Sequence, residues 1–521
     1  MDSPQKPRVC ISLCEPTLAA LEPAIAAAAA VCDLIEVRLD CLEPLELERG
    51  RLLIEQALLK SGCESILTFR PAEQGGRREL DHAARSSFWR SRSSSAFDGC
   101  LLDLELDVVE EFVSPFNSSP DKLQQPFDWS QVICSHHDFG GLPVELDSIY
   151  ERMTKTPARV LKIAVRADDA IDCLPVFELL KRAQTDGREM IAIAMGAAGV
   201  TTRILGPARG AFMTYASRDR ETTTAPGQVS VSELKKVYRL DQINRQTQIF
   251  GLIGLPVAHS VSPLMHNAAF AATATNAVYI PFEVRDLNQF LKRMISPVTR
   301  ELDWNLRGLS VTAPHKFAVL EQLDWIEPAA KEIGAVNTIV VEDDALRGFN
   351  TDAAGFIKPL VEMFSDLRGA RCAVIGSGGA AKAALWSLGK AGAETTIFAR
   401  EATKAKGLAQ RFAAEWKQLN DAQFGGFDVV VNATPLGTRG PLETETPAAA
   451  AQLHGARLVY DLVYNPTETR FLGEARAAGC ETLGGLAMLV TQAAEQVRLW
   501  TGVAPAESVM YEAARRGLDR M

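Results

Sequence analysis

Leu34-Ile35-Glu36-Val37-Arg38-Leu39 reads as a strand whose two faces differ in chemistry. Side chains alternate along a strand, so Ile35, Val37 and Leu39 share one face while Glu36 and Arg38 share the other. The apolar face suits packing on helices. The same unit, a short apolar strand followed by a turn and a helical stretch, recurs through the first half of the chain. Its strands are Val9 to Leu13, Leu34 to Leu39, Ser65 to Arg70, Cys100 to Leu106, Gln131 to His137, Arg159 to Val165, Met190 to Met195 and Ala211 to Ala216. Eight strands with helix-length connections predict a (β/α)₈ barrel in preference to an open sheet. Parity then turns Thr68 with Arg70, Asp103 with Glu105, and Lys162 with Ala164 inward. Branched aliphatics normally fill a barrel, so these charges form either an internal ion-pair lattice or a site at the C-terminal mouth.

Lys162 favours the site. A lysine in a crowded pocket near cations such as Arg38 and Arg70 is expected to give up its proton and attack a ketone as the free amine. The resulting imine activates the adjacent carbon for proton loss, which calls for a base. Ser135-His136-His137-Asp138-Phe139 ends the fifth strand and offers one, since only one of two adjacent histidines can face inward. Val109 to Ser130, rich in Ser, Pro and Asp, reads as a long loop.

After the polar stretch Leu240 to Gln246, taken as a linker, a new α/β domain begins at Gln248-Ile249-Phe250-Gly251. A third begins near Arg371, where an apolar strand runs into Gly376-Ser377-Gly378-Gly379-Ala380-Ala381-Lys382-Ala383. A glycine-rich turn between strand and helix is the setting in which backbone N–H groups bind a pyrophosphate. The following strand ends at Ala399-Arg400, with Lys404 a turn further on, where an acid would select the unphosphorylated ribose. Those cations favour a 2′-phosphate, whereas Glu401 between them could accept a ribose hydroxyl instead.

The chain has 521 residues, 47% hydrophobic and 23% charged, with net charge −10. That length suits roughly three domains of about 150 residues. The acidic balance gives no footprint for nucleic acid or an anionic membrane, so small molecules are the expected partners and no oligomeric state is assigned. Ala24 to Val31 is too short to span a bilayer and reads as a packed helix. The first strand begins so soon after Met1-Asp2-Ser3-Pro4-Gln5 that no signal or transit peptide is expected, which makes the cytoplasm the default location. The ten cysteines show no zinc spacing; they are expected to be reduced thiols, and no metal is assigned.

Six motifs occur in order at strand ends or the loops beyond them: Glu36-Val37-Arg38, Thr68-Phe69-Arg70, Ser135 to Phe139, Lys162-Ile163-Ala164, Met195-Gly196 through Arg203, and Thr224-Ala225-Pro226-Gly227-Gln228. By these the first half resembles the type I 3-dehydroquinate dehydratases. The resemblance implies a Schiff base on Lys162 and acid/base work by His137. It also implies substrate contacts from Glu36, Arg38, Arg70, Arg203, Thr224 and Gln228. Where the family often has glutamate before paired glycines, this chain reads Glu73-Gln74-Gly75-Gly76. Either Glu73 moves in by a loop shift or Gln74 serves as a neutral hydrogen-bond partner.

The second half carries Gly254 to Pro263 with Ser260 and Ser262, then Ser310-Val311-Thr312-Ala313-Pro314-His315-Lys316, Ala335-Val336-Asn337-Thr338 and Gly348-Phe349-Asn350-Thr351-Asp352. Singly, such residues more often cap helices and close turns. Together, and with Asn432 to Gly437, Asp461 to Pro466 and Gly485 to Gln492, they resemble the shikimate dehydrogenases. The resemblance implies that Ser260 and Ser262 bind a carboxylate and that Thr312, Asn337, Tyr464 and Gln492 contact ring substituents. Lys316 and Asp352 are the implied catalytic pair, and NADP lies on Gly376, Gly378, Gly379, Ala380, Arg400, Lys404, Asn432, Thr434 and Gly485. Ser310 and Ala399 stand where many members have asparagine.

The whole is therefore expected to be α/β: a barrel over 1–242, a substrate-binding domain over 248–365, a Rossmann domain over 366–485, and helices over 486–521 packing back on the substrate domain. The implied reactions are dehydration of 3-dehydroquinate and NADPH-dependent reduction of 3-dehydroshikimate to shikimate. A quinate dehydrogenase in the second half is the alternative enzyme; intact Ser260, Ser262 and Thr312 favour shikimate. A metabolite-sensing regulator would be expected to lack Lys162 or Lys316, and both are present.

Overall fold

In the computed structural model the chain forms two units. One comprises Met1–Thr247, Pro281–Met294 and Glu301–Trp304; the other comprises Gln248–Ile280, Ile295–Arg300 and Asn305–Met521. The structure describes residues 6–91, 99–113, 127–219, 221–420 and 422–520.

The first unit holds eight parallel strands: β1 (Val9–Leu13), β2 (Leu34–Arg38), β3 (Glu64–Thr68), β4 (Leu101–Glu105), β5 (Val132–Asp138), β6 (Val160–Arg166), β7 (Glu189–Met195) and β8 (Thr214–Ala216). They follow the order β7-β6-β5-β4-β3-β2-β1-β8. A single parallel bridge at Met190–Ala211, where Phe212 N donates to Met190 O at 2.8 Å, nearly closes the barrel. The interior is layered by strand parity. Cys10, Leu34, Ile66, Leu101, Ile133 and Val160 make an apolar plug. Two residues further along five of these strands stand Glu36, Thr68, Asp103, Ser135 and Lys162, all buried. The apolar layer excludes water from below and the polar layer faces the mouth.

Two expectations are corrected. Cys14 and Cys41 form a disulfide. Because β1 and β2 are hydrogen-bonded neighbours with Leu13 beside Val37, the residues just beyond them meet with Cα atoms 5.2 Å apart, a contact no sequence spacing announces. The other eight cysteines are free. The stretch read as a loop from Val109 begins inside a helix, Leu106–Val113, because Val108, Val109 and Phe112 share a buried face. Its part over 114–126, like Met1 to Gln5, lies outside the described residues.

The second unit has two six-stranded sheets. The first is mixed: β9 (Gln248–Gly254), β10 (Ala277–Glu283), β11 (Leu306–Val311), β12 (Trp325–Ile326), β13 (Thr338–Val341) and β14 (Leu346–Phe349), in the order β10-β9-β11-β13-β14-β12. Helices Gly485–Thr501 and Glu507–Leu518 close its core, with Val497, Met510 and Ala514 packed against Phe250, Met265 and Phe270. The second sheet is wholly parallel: β15 (Arg371–Ile375), β16 (Glu394–Ala399), β17 (Glu415–Gln418), β18 (Val429–Asn432), β19 (Leu458–Asp461) and β20 (Glu481–Leu483). Its order, β17-β16-β15-β18-β19-β20, reverses direction between β15 and β18. The crevice beyond that switch point is where such sheets bind ligands. Among the described residues no helix is long and apolar enough to cross a membrane.

Candidate active sites

The barrel mouth encloses a cavity lined by Glu36, Arg38, Arg70, Gln74, His137, Lys162, Arg203, Tyr215, Thr224 and Gln228, among others. Lys162 projects from β6 and donates to Asp103 Oδ2 at 2.7 Å, to the Tyr215 hydroxyl at 2.8 Å and to Glu36 Oε1 at 3.4 Å. The cations expected beside it are themselves neutralised, so its immediate partners are carboxylates and a phenol. Arg70 bonds Asp103 Oδ1 at 2.6 Å, Glu105 Oε1 at 2.7 Å and Ser135 Oγ at 2.8 Å. Arg38 grips Asp40 through two bonds of 2.8 and 2.9 Å. Asp40 also accepts from the backbone N–H groups of Arg70 and Arg77, tying this guanidinium to the loop over the cavity. Burial alone would raise the Asp103 carboxyl, but Arg70 and Lys162 outweigh it and hold the group well below the usual carboxylate range.

His137 shares a strand face with Ser135 and lines the cavity, whereas His136 does not. Burial, reinforced by Arg70 and Lys162, holds the His137 imidazole well below its ordinary value, so it is a neutral base near pH 7. Its Nδ1 is buried without a hydrogen-bond partner. Gln74 lines the cavity, and its Oε1 accepts from the backbone N–H of His137 at 3.1 Å. Glu73 is exposed and lies 3.8 Å from Arg85, so of the two alternatives at this turn it is the glutamine that faces inward. Thr224 and Gln228 bond each other across the rim.

Arg203 is buried yet among the described residues meets only carbonyl oxygens, of Tyr215 at 3.4 Å and Pro226 at 3.3 Å, and its Nε has no partner there. Burial brings its guanidinium down to about 10. A desolvated cation without a carboxylate, opening on a cavity, is built to take an anion. Tyr215 and Asp103 were not singled out as site residues from sequence. Both had the signal: parity turns Asp103 inward, and along the strand read as Ala211 to Ala216 it sets Tyr215 on one face with Met213.

The second unit holds a cleft of about 730 Å³ lined by Ser260, Ser262, Thr312, Lys316, Asn337, Asp352, Tyr464 and Gln492, with Ala380, Thr434 and Gly485 on its nucleotide-domain side. Lys316 and Asp352 meet at 2.5 Å. Asn337 Nδ2 donates to Asp352 Oδ1 at 2.8 Å and to Thr351 Oγ1 at 2.9 Å, fixing the carboxylate from behind. Ser260 and Ser262 hydroxyls lie 3.0 Å apart on the cleft wall. Ser310 is held by Tyr279 at 2.7 Å and Gln496 at 2.8 Å.

Beside this cleft a groove runs over Gly376, Ser377, Gly378, Arg400, Glu401 and Thr434 at the switch point. It fits a dinucleotide. Gly376 has φ +122°, and a Cβ there would stand 2.9 Å from Ala433 O, so only glycine makes the turn. A Cβ at Gly378 would meet nothing within 4 Å, which leaves the backbone open ahead of helix Gly379–Lys390. Arg400 is exposed, with no ion-pair partner among the described residues. Two residues of the expected cofactor set are placed differently. Lys404 is paired with Glu401 at 2.8 Å. Asn432 is buried and spent on Asp461 Oδ1, Thr434 and Leu436 O, bracing the turn from beneath. Gly379 opens the helix, its Cβ direction facing Phe317 and Lys316.

Four family models match the chain. Type I 3-dehydroquinase matches residues 9–245, and the shikimate dehydrogenase substrate binding domain matches 252–339. A putative NAD(P)-binding model matches 363–477, and the shikimate 5′-dehydrogenase C-terminal domain matches 485–515. The bifunctional 3-dehydroquinate dehydratase/shikimate dehydrogenase, chloroplastic, of Arabidopsis thaliana is 34% identical over 501 residues, covering 92% of this chain and 79% of that protein. The shikimate dehydrogenase (NADP(+)) of Moorella thermoacetica is 41% identical over 290 residues, 53% of this chain and 96% of that protein. A crystal structure of a shikimate dehydrogenase in complex with NADP+ is 37% identical with TM-score 0.50, covering 53% of this chain and 97% of that one.

Proposed function

The chain belongs to the bifunctional 3-dehydroquinate dehydratase/shikimate dehydrogenase family, and from that premise we propose how its residues divide the two reactions. The barrel converts 3-dehydroquinate to 3-dehydroshikimate through a lysine Schiff base, and the second half reduces 3-dehydroshikimate to shikimate with NADPH. Lys162 is the imine-forming amine. Once its nitrogen replaces the ketone oxygen, the electron-poor C=N withdraws charge from the neighbouring C–H bond, and His137 removes that proton as a neutral base. The same imidazole, now protonated, gives the proton to the departing hydroxyl. Arg203 holds the carboxylate, with Thr224, Gln228, Glu36, Arg38 and Arg70 shaping the rest of the cavity. The observation that carries this reading is Arg203 itself, a buried cation without a carboxylate in the same cavity as Lys162.

In the second half Ser260 and Ser262 share the carboxylate, while Thr312, Asn337, Tyr464 and Gln492 face the ring hydroxyls. Gly376, Gly378 and Arg400 would hold NADPH, which would supply the hydride. Lys316, oriented by Asp352, delivers the proton to the substrate oxygen as the alcohol forms. We assign the barrel to residues 1–242, substrate binding to 248–365, cofactor binding to 366–485 and the closing helices to 486–521. Eight of the ten cysteines are free, the Cys14–Cys41 bridge being the exception, and on that balance we assign the chain to the cytoplasm.

Lys162→Ala is expected to abolish dehydration and the mass increase left when borohydride traps a substrate imine, while shikimate oxidation by NADP continues at the parent rate. Lys316→Ala is expected to leave the imine trappable and to cut hydride transfer by about 10²–10⁴. A Lys162 variant that folds but loses both activities would count against separate sites.

A further inference from the structure

No step above uses Tyr215, yet its phenol is a direct partner of the nitrogen that must react. Resting on the Schiff-base reading, we propose that Tyr215 is a further catalytic residue of the barrel, relaying protons between Lys162 and Glu36 while the imine is made and hydrolysed. Lys162 Nζ donates to the Tyr215 hydroxyl at 2.8 Å, and that hydroxyl donates to Glu36 Oε1 at 3.2 Å. The three groups form a continuous Nζ–H···O–H···O chain along the cavity wall, and all three line the cavity. The Tyr215 ring centroid lies 4.4 Å from Nζ, so the ring also fixes where the ammonium sits.

Proton accounting shows why a relay is needed. The reaction begins with an ammonium carrying three N–H protons and a ketone, and ends with an iminium carrying one N–H proton and a water. Loss of one proton through Tyr215 to Glu36 frees the nitrogen lone pair, which forms the C–N bond while the C=O π pair moves onto oxygen. The nitrogen pair then forms the second C–N bond as the C–O bond breaks. Two protons therefore travel from nitrogen to oxygen, and direct transfer within the adduct would pass through a strained four-membered ring. A phenol accepts one proton on its oxygen while giving up its own, so it passes protons on without holding net charge.

Other routes serve less well: Nζ also donates directly to Glu36 Oε1, but at 3.4 Å, longer than either link through the phenol. Asp103 is nearer to Nζ, but it is fully buried beneath the cavity lining and clamped to Arg70 at 2.6 Å. His137 lines the same cavity but makes no hydrogen bond to Lys162. Glu36 faces the cavity, accepts from Thr68 Oγ1 at 2.8 Å, and can return the proton to the ketone oxygen.

The test is rapid quenching with borohydride at successive times after mixing with 3-dehydroquinate, with the covalent adduct counted by mass. Tyr215→Phe keeps the ring and removes only the hydroxyl. Its adduct is expected to form on the order of 10²-fold more slowly than in the parent. As imine formation becomes limiting, the kinetic isotope effect from deuterium at the carbon that loses its proton should shrink toward unity. A packing role alone would leave that isotope effect in place. The parent enzyme provides a second arm independent of how the variant folds: adduct formation should slow in D₂O, with a curved dependence on deuterium fraction as two protons move. Adduct formation at the parent rate in Tyr215→Phe, or a parent rate indifferent to D₂O, overturns the relay. Absence of any adduct in the parent would instead remove the Schiff-base reading beneath it.

Discussion

Gln74 stands where an acid would tune the base, and its contact is with the backbone of His137 and not with the ring. The imidazole thus has burial and the cations Arg70, Lys162 and Arg38 against its charged form, opposed by Asp103, and no adjacent carboxylate bonded to it. Gln74→Glu would place a negative charge within reach and raise the His137 value. With the neutral ring as the proposed base, the acidic limb of kcat/KM for dehydration should move to higher pH; an unmoved limb would mean that position 74 is not sensed by the ring. The cofactor groove poses a second single-residue question. Arg400 has no ion-pair partner among the described residues, while Lys404 is paired with Glu401. Arg400→Ala should raise KM for NADPH about ten- to a hundredfold, the worth of charged hydrogen bonds, and barely change KM for NADH. Lys404→Ala should do little. Equal losses with both cofactors would point to the shared pyrophosphate contacts instead.

Among the elements, the helix Gly485–Thr501 joins the two faces of the second cleft. It carries Gln492 to the ring side and Gln496 to the Ser310–Tyr279 cluster behind it. Its first residue is pressed against the chain leaving β19: a Cβ on Gly485 would stand 2.4 Å from Leu462 O and 2.7 Å from Val463 O. Gly485→Ala therefore has to shift the helix start or the segment that bears Tyr464. The expected result is a dehydrogenase with kcat/KM for shikimate reduced by ten- to a hundredfold, since misplacements of about 1 Å cost that much, and a dehydratase unchanged. Steady-state kinetics of both reactions on one preparation would check it. The barrel elements follow a simpler rule, in which β2 to β6 each place an apolar residue below and a polar one above. That rule was legible from alternation alone. The turn carrying Asp40 was not, because its carboxylate gains meaning only from Arg38, Arg70 and Arg77 converging on it.

For the whole molecule, separate cores imply separate failures. Ile66 belongs to the barrel plug, while Val374 and Ile397 belong to the nucleotide sheet. Removing most of a buried isoleucine side chain costs about 2–5 kcal/mol. Ile66→Ala should therefore lower the urea concentration at which dehydration is lost and leave the midpoint for shikimate oxidation in place. Loss of both activities at one lowered midpoint would mean that the units unfold as one cooperative body.

By itself the sequence pointed to the barrel, to a glycine-rich nucleotide domain and to the two lysines proposed to react. Strand alternation, glycine turns and inward charges are local patterns written into a few consecutive residues. Only the tertiary structure decided the Cys14–Cys41 bridge, the choice of Gln74 over Glu73, the pairing of Lys404 with Glu401 and the place of Tyr215. Each depends on groups brought within a few ångströms by neighbouring strands or loops, and in a buried site the sign and worth of a charge are set by those partners rather than by its neighbours along the chain.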